Sequence, residues 1–445
     1  MTVRRWQRVD TFVVLVLWTV AAAGYVWLAV TSPPVLTGEE ASVSMRDVLF
    51  TVEQRTQASV WSTNWVAPLW YWVWSHLDPS YTLFSGRQAK AVALAGVAPL
   101  VYATLWLRLG CGRASAVLGA ALSAALPGVA VFAPVATENG LEALPGLAAL
   151  LLVTSRRWWP VAPVPAGLAI GTYTAGLAWA VAVLAVMVVR TWQQPRYWWP
   201  ATAGLASGVL VVVSPLWWWT AGPERIVVGG GRIDDSAGDL ALLGRLLSWD
   251  GSSYYYFADL PAVGSPVLVG LVVVVAVWAA ARRPACWPWL LAAASTVGLW
   301  MLGGNLPGTR RVVALVVVAG IVLAVATDLA VRAVPGGKVG RLVALAGCAT
   351  ALLGSVLPGL VGWAAARPAL PVDWPAPTGP TIAAGLARLD TDLRAGRITL
   401  DDLAAIGDSR SAALVWLLAE RRHDTAGLPP GTAIARTAWT YGQDG

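Results

Sequence analysis

Charge is scarce in this chain of 445 residues: 12% are Asp, Glu, Lys or Arg, 57% are hydrophobic, and the mean hydropathy is +0.63. That balance excludes an ordinary water-soluble domain. Histidine is almost missing, with only His76 and His423, and cysteine is limited to Cys111, Cys286 and Cys348. No HxxxH or CxxC spacing occurs, so the local metal-ligand motifs are absent. Cys111 and Cys286 fall in short turns and Cys348 in an apolar run, and no disulfide is expected. Lysine is reduced to Lys90 and Lys338, so arginine carries nearly all of the +7 net charge. These basic residues are dispersed in short connections with no basic helix or stripe, which excludes a nucleic-acid-binding face. Gly229 to Gly231 lacks the GKS/T ending of a phosphate loop.

What the chain has in excess is apolar runs of about twenty residues, each long enough to cross a bilayer. They lie near 11–30, 87–107, 114–134, 140–154, 158–173, 175–190, 198–219, 261–281, 287–304, 312–331 and 342–366. The expected fold class is an all-α polytopic membrane protein with about eleven transmembrane helices. The first run is too long for a signal peptide h-region, and no convincing cleavage site follows it. The pair near 158–190, broken by Gly171 and Gly176, could be a re-entrant hairpin, which would preserve the parity.

Charge fixes the orientation. Arg4, Arg5 and Arg8 precede the first run, and Arg108 with Arg113, Arg156 with Arg157, Arg190 with Arg196, Arg282 with Arg283, and Arg332 with Lys338 and Arg341 punctuate later ones. The alternate connections instead carry the carboxylates, including Glu39, Glu40, Glu138, Glu142, Asp234, Asp235 and Asp250. Excess arginine marks the cytoplasmic side. The N-terminus is therefore expected in the cytoplasm of a plasma (inner) membrane, and the C-terminus outside it. The 27 tryptophans cluster at run ends, as at Trp158 and Trp159, Trp198 and Trp199, Trp217 to Trp219, and Trp287 and Trp289. That pattern reads as an aromatic belt at the headgroup level.

The organisation is lopsided. Cytoplasmic connections are short, whereas outer segments near 31–87 and 221–259 are long, and long loops in compact folds tend to be functional. Within the first, Trp61 to Leu77 is aromatic and amphipathic. Residues 1–366 form the expected transmembrane domain. A proline-rich hinge (Pro368, Pro371, Pro375, Pro377, Pro380) opens an extracytoplasmic tail module, 367–445, in which Thr399 and Asp402 resemble a capping box.

Glu39 and Glu40 stand about eight residues beyond the first run, where that helix emerges on the outer side. Together with an aromatic APLWYW segment (Ala67 to Trp72), a second run opening on Arg87, and ATENGLEAL (Ala136 to Leu144) between the third and fourth runs, they resemble the plan of the GT-C membrane glycosyltransferases. The branch most similar is that of the protein O-mannosyltransferases and aminoarabinose transferases. The family pattern is DE, DD or ExD followed by a PPLYYW-like stretch; here the pair is Glu-Glu, and a single proline precedes the aromatics. The resemblance covers about residues 10–190.

It implies an inverting transferase that moves a sugar from a polyprenyl-phosphate donor to a hydroxyl of a cell-envelope glycan, glycolipid or protein. Such a reaction needs a carboxylate to take the acceptor's proton, a role that suits Glu39 or Glu40, with Glu138 as an orienting or metal-ligating partner. It also needs positive charge, from arginine or a divalent metal ion, on the departing phosphate. Arg310 and Arg311, after GGNLPGT, resemble an RY-type motif that meets lipid phosphate in GT-C enzymes. Each candidate has a plainer reading. The glutamate pair could be a solvated start of a surface helix, Glu142 a hydrated interfacial group, and Arg310, Arg311, Arg87 and Lys90 headgroup anchors. Asp250 in SWDGS resembles the WWDYG element of oligosaccharyltransferases, although an aspartate before glycine is commonly a turn. The competing classes are a transporter or lipid flippase, which calls for inverted repeats and mid-membrane charges not seen here, and a scaffold acting through its tail.

Overall fold

A computed structural model describes residues 6–31, 65–77, 83–213, 240–248, 260–302, 312–335 and 337–366, with 395 and 397 singly. All regular structure among them is helical. In chain order the helices are α1 (Arg8–Val30), α2 (Val66–Leu77), α3 (Leu83–Leu94), α4 (Val97–Ala103), α5 (Arg113–Ala125), α6 (Ala143–Val153), α7 (Pro163–Thr172), α8 (Leu177–Gln193), α9 (Trp198–Val213), α10 (Leu240–Ser248), α11 (Pro266–Arg282), α12 (Trp287–Leu302), α13 (Val313–Ala333) and α14 (Gly337–Ala366). The tail module, Glu39, Glu40, Asp250, Arg310, Arg311 and Trp217 to Trp219 lie outside the described residues.

Each of the eleven apolar runs contains a helix. Among the described residues five stretches are long and apolar enough to cross a membrane: α1, Ser85–Arg108, Thr174–Gln193, α13 and α14. Counting α11 and α12, which bend by 120° at their junction, as one broken span makes six. The protein is thus a multi-pass integral membrane protein. Two runs expected as full spans are shorter as helices. Helix α5 ends at Ala125 because Pro127 follows, and α6 starts only at Ala143. At 1.5 Å per residue, α5 covers about 20 Å and α6 less, short of a bilayer core of roughly 30 Å.

Packing follows composition. Helix α13, valine-rich around its whole circumference, is the central element, and most of its residues are buried. Helices α1 and α14 lie at the periphery and expose apolar side chains such as Phe12, Val20, Val339 and Leu342. Helix–helix approach in lipid relies on small residues. A Cβ on Gly119 would lie 2.4 Å from Ala324 Cβ of α13, and one on Gly320 2.2 Å from Ser123 Oγ of α5. Gly204 and Gly208 of α9 press on Pro160 and Pro163, where a Cβ on Gly204 would sit 1.7 Å from the Pro160 carbonyl oxygen. The expected break near 171–176 is a tight reversal between α7 and α8. There Gly176 passes so close to Ala169 that a Cβ would meet its carbonyl oxygen at 2.2 Å.

The tryptophan belt needs one correction. Trp158, Trp198, Trp199 and Trp287 are exposed, but Trp159 and Trp289 are buried core residues, as is Trp179. Trp159 meets Tyr197 edge-on with ring centroids 5.8 Å apart, joining two loops. Sequence position at a run end cannot distinguish a ring facing lipid from one facing the bundle.

One end of the bundle is held by arginines that donate to loop carbonyls. Arg108 reaches Leu151 O at 3.0 Å, Arg190 reaches Thr154 O at 3.1 Å and also Ser155 O, Arg283 reaches Leu109 O at 2.8 Å, and Arg332 reaches Gly110 O at 2.8 Å. Two carboxylates complete this end. Asp10 pairs with Arg113 at 2.8 Å and accepts from the Tyr102 hydroxyl at 2.8 Å. Asp328 accepts from Gly112 N at 2.7 Å and pairs with Arg283 and Arg332, each at 2.9 Å. Arg108, Arg113, Arg190, Arg283 and Arg332, grouped by sequence, therefore share one end of the described structure.

Candidate active site at the opposite end

The other end is built where α2, α3 and the loop 131–142 meet. Helix α3 enters the bundle with Arg87 and Lys90 three residues apart, on one face. Both are fully buried. This corrects the headgroup-anchor reading, since neither side chain reaches the surface. Helix α2 lies across α3, with Trp70 Nε1 donating to Ala89 O at 3.0 Å. Its other flank rests on α7, where a Cβ on Gly171 would lie 2.7 Å from Trp65 Nε1.

The loop is fastened by long-range donors. Lys90 Nζ donates to Thr137 O at 2.7 Å and to Asn139 O, and the buried Tyr71 hydroxyl donates to the same Thr137 O at 2.9 Å. Asn139 Nδ2 reaches Thr137 Oγ1 at 3.1 Å. Gly140 takes φ +85°, a conformation costly for residues with a Cβ, and turns the chain so that Glu142 becomes the N-terminal cap of α6. Glu138 lies in the turn and not on a helix.

Glu138 is 9% exposed and Glu142 is fully buried. The hydrated-interface reading of Glu142 is therefore set aside. Among the described residues, neither Glu142 carboxylate oxygen meets a donor in hydrogen-bond geometry. The Lys90 ammonium and the Glu138 carboxyl are close enough to act on it electrostatically. Lys90 and two carboxyls thus share a buried site, with Arg87 three residues before Lys90 on α3, the setting in which charges act most strongly on a reacting group.

Of the residues expected from sequence, Arg87, Glu138 and Glu142 are gathered here, from positions up to 55 residues apart (142 − 87). Lys90 belongs with them as a central donor and Tyr71 as a second anchor. Lys90 had a signal, being one of two lysines in the chain. Tyr71 had only its place in the APLWYW segment. The positions of Glu39, Glu40, Arg310 and Arg311 lie outside the described residues. Among the described residues, no group of three or more His, Cys, Asp or Glu side chains is placed to hold a metal ion.

No protein-family model and no curated relative matches the sequence. Solved structures do. ArnT from Cupriavidus metallidurans in the apo state is similar with a TM-score of 0.55 and 16% identity, over 88% of this chain and 81% of that one. The apo oligosaccharyltransferase of Archaeoglobus fulgidus gives 0.48 and 13%, over 84% and 57%. ArnT from Cupriavidus metallidurans bound to undecaprenyl phosphate gives 0.46 and 16%, over 97% and 77%. The chain shares the overall fold of ArnT.

Proposed function

We propose that the protein is an inverting glycosyltransferase that takes a sugar from a polyprenyl-phosphate donor and gives it to a hydroxyl acceptor at the outer face of the membrane. The observation that carries this reading is the convergence of Glu138, Glu142 and Lys90, with the buried Arg87 three residues before Lys90, at one end of a fold shared with ArnT. The arginine-rich end faces the cytoplasm by the excess of positive charge. The carboxylate end, from which the segment bearing Glu39 and Glu40 departs after α1, then faces outward. We take each of the eleven apolar runs as one crossing, which puts the N-terminus inside and the C-terminal tail outside.

In the reaction the acceptor oxygen attacks the anomeric carbon, the bond from that carbon to phosphate breaks, and the acceptor proton passes to a carboxylate. Glu39 or Glu40 is the proposed base, with Glu138 orienting the acceptor. Arg87 and Lys90, with Arg310 and Arg311 joining from the loop before α13, stabilise the negative charge that grows on the phosphate. A divalent ion, where bound, would share that last role. The isoprenoid tail remains in the bilayer and confines the chemistry to its surface. A cell-envelope glycan, glycolipid or protein is the acceptor that an arginine- and tryptophan-rich, lysine-poor bacterial-type composition suggests.

Purified protein in detergent, supplied with polyprenyl-phosphate sugars and candidate acceptors, tests the reading. Glu138→Gln and the pair Glu39→Gln and Glu40→Gln are compared with wild type. Loss of a general base costs about 10²- to 10⁴-fold in turnover. Full turnover in all three variants would overturn the assignment, and translocation of lipid without product would favour a flippase.

A further inference from the structure

A second feature lies at the opposite end. Between α8 and α9 an apolar groove of about 620 Å³ is lined by Leu184, Val188, Trp192, Trp198 and Leu205, among others. Val188 and Trp192 are largely exposed, so the groove opens toward lipid and not into the bundle. Its mouth is the short turn Pro195–Tyr197, in which Pro195 lines the groove and Arg196 follows it directly. The edge-on contact of Trp159 with Tyr197 brings the neighbouring loop, with Arg156 and Arg157, against that turn, and Arg190 ties the same loop through Thr154 O and Ser155 O.

Arg156, Arg157 and Arg196 are exposed. The carboxylates among the described residues are Asp10, Glu138, Glu142 and Asp328. Asp10 and Asp328 are paired with Arg113, Arg283 and Arg332, and the glutamates are at the other end. The three rim arginines therefore have no described carboxylate to meet. Arg196 stacks on Tyr197 at 4.9 Å and Arg157 on Trp158 at 5.4 Å. Stacking uses the guanidinium face and leaves its N–H edge for a phosphate oxygen.

We propose that this groove is a binding site for an anionic phospholipid, with one acyl chain between α8 and α9 and the headgroup phosphate on Arg196 and Arg157. An apolar slot alone would accept any lipid; the exposed arginines beside it, with no carboxylate partner among the described residues, select a negative headgroup. The site is distinct from the proposed donor site, which lies at the carboxylate end. Its occupant would clamp the α8–α9 junction, where the small-residue contact of α9 with Pro160 and Pro163 begins.

The test is lipid retention by native mass spectrometry of the full chain, released from detergent containing phosphatidylglycerol and phosphatidylcholine of matched chains. Wild type should retain phosphatidylglycerol preferentially. Arg196→Gln and Arg157→Gln should each lower that preference about fivefold, the effect of one basic residue at an anionic surface, while Arg196→Lys keeps it. Thr191→Trp, which fills the groove, should reduce retention of both lipids together. Melting temperature in lipid-free detergent establishes that each variant is folded. Equal retention of the two lipids by wild type, or an unchanged preference in folded Arg196→Gln and Arg157→Gln, overturns the proposal. The readout does not depend on glycosyl transfer, so it stands or falls apart from the proposed enzyme activity.

Discussion

Replacing Lys90 by methionine is the most searching perturbation of the candidate site. Methionine keeps the length of the side chain and removes its charge and donors. In the folded protein Lys90 donates to Thr137 O at 2.7 Å and to Asn139 O, both buried. A hydrogen bond involving a charged group contributes about 1.5–3 kcal/mol. Thr137 O keeps the Tyr71 hydroxyl at 2.9 Å after the change, which softens the first of these losses. Glu138 and Glu142 also lose a neighbouring cation, and removing one partner from a buried ionic set costs about 3–5 kcal/mol. A destabilisation of about 3 kcal/mol is expected, measured by SDS-induced unfolding in mixed micelles. Tyr71→Phe removes the second donor to the same carbonyl, so the double variant should depart from additivity by about 0.5–3 kcal/mol. Amide hydrogen exchange across residues 131–142 should quicken in each single variant. An unchanged unfolding midpoint for Lys90→Met, with strict additivity toward Tyr71→Phe, would refute the view that these side chains fasten the loop carrying Glu138.

Gly204→Ala places a methyl 1.7 Å from the Pro160 carbonyl oxygen and should cost about 1–3 kcal/mol by overpacking α9 against the start of α7, read from the melting temperature. Asp328→Asn leaves Arg283 and Arg332 without their shared carboxylate. With Arg283 largely buried, a loss of about 3 kcal/mol is expected, and one within experimental error would show that backbone carbonyls alone suffice to hold these arginines.

Local chemistry in the sequence was sufficient for the membrane class, for a helix in every apolar run, and for the sorting of charge between two ends. Bilayer-length hydropathy and loop arginines are properties of neighbouring residues, so each window carries its own answer. The resemblance seen in the acidic and aromatic segments likewise agrees with the fold shared with ArnT. Tertiary structure decided the rest. It shortened α5 and α6 around a loop, turned Trp159 and Trp289 inward, and buried Arg87 and Lys90. It also joined Lys90 and Tyr71 to Thr137 across separations of 47 and 66 residues. No periodicity encodes such meetings, because which face of a uniformly apolar helix turns inward is set by the small residues and polar partners of helices elsewhere in the chain.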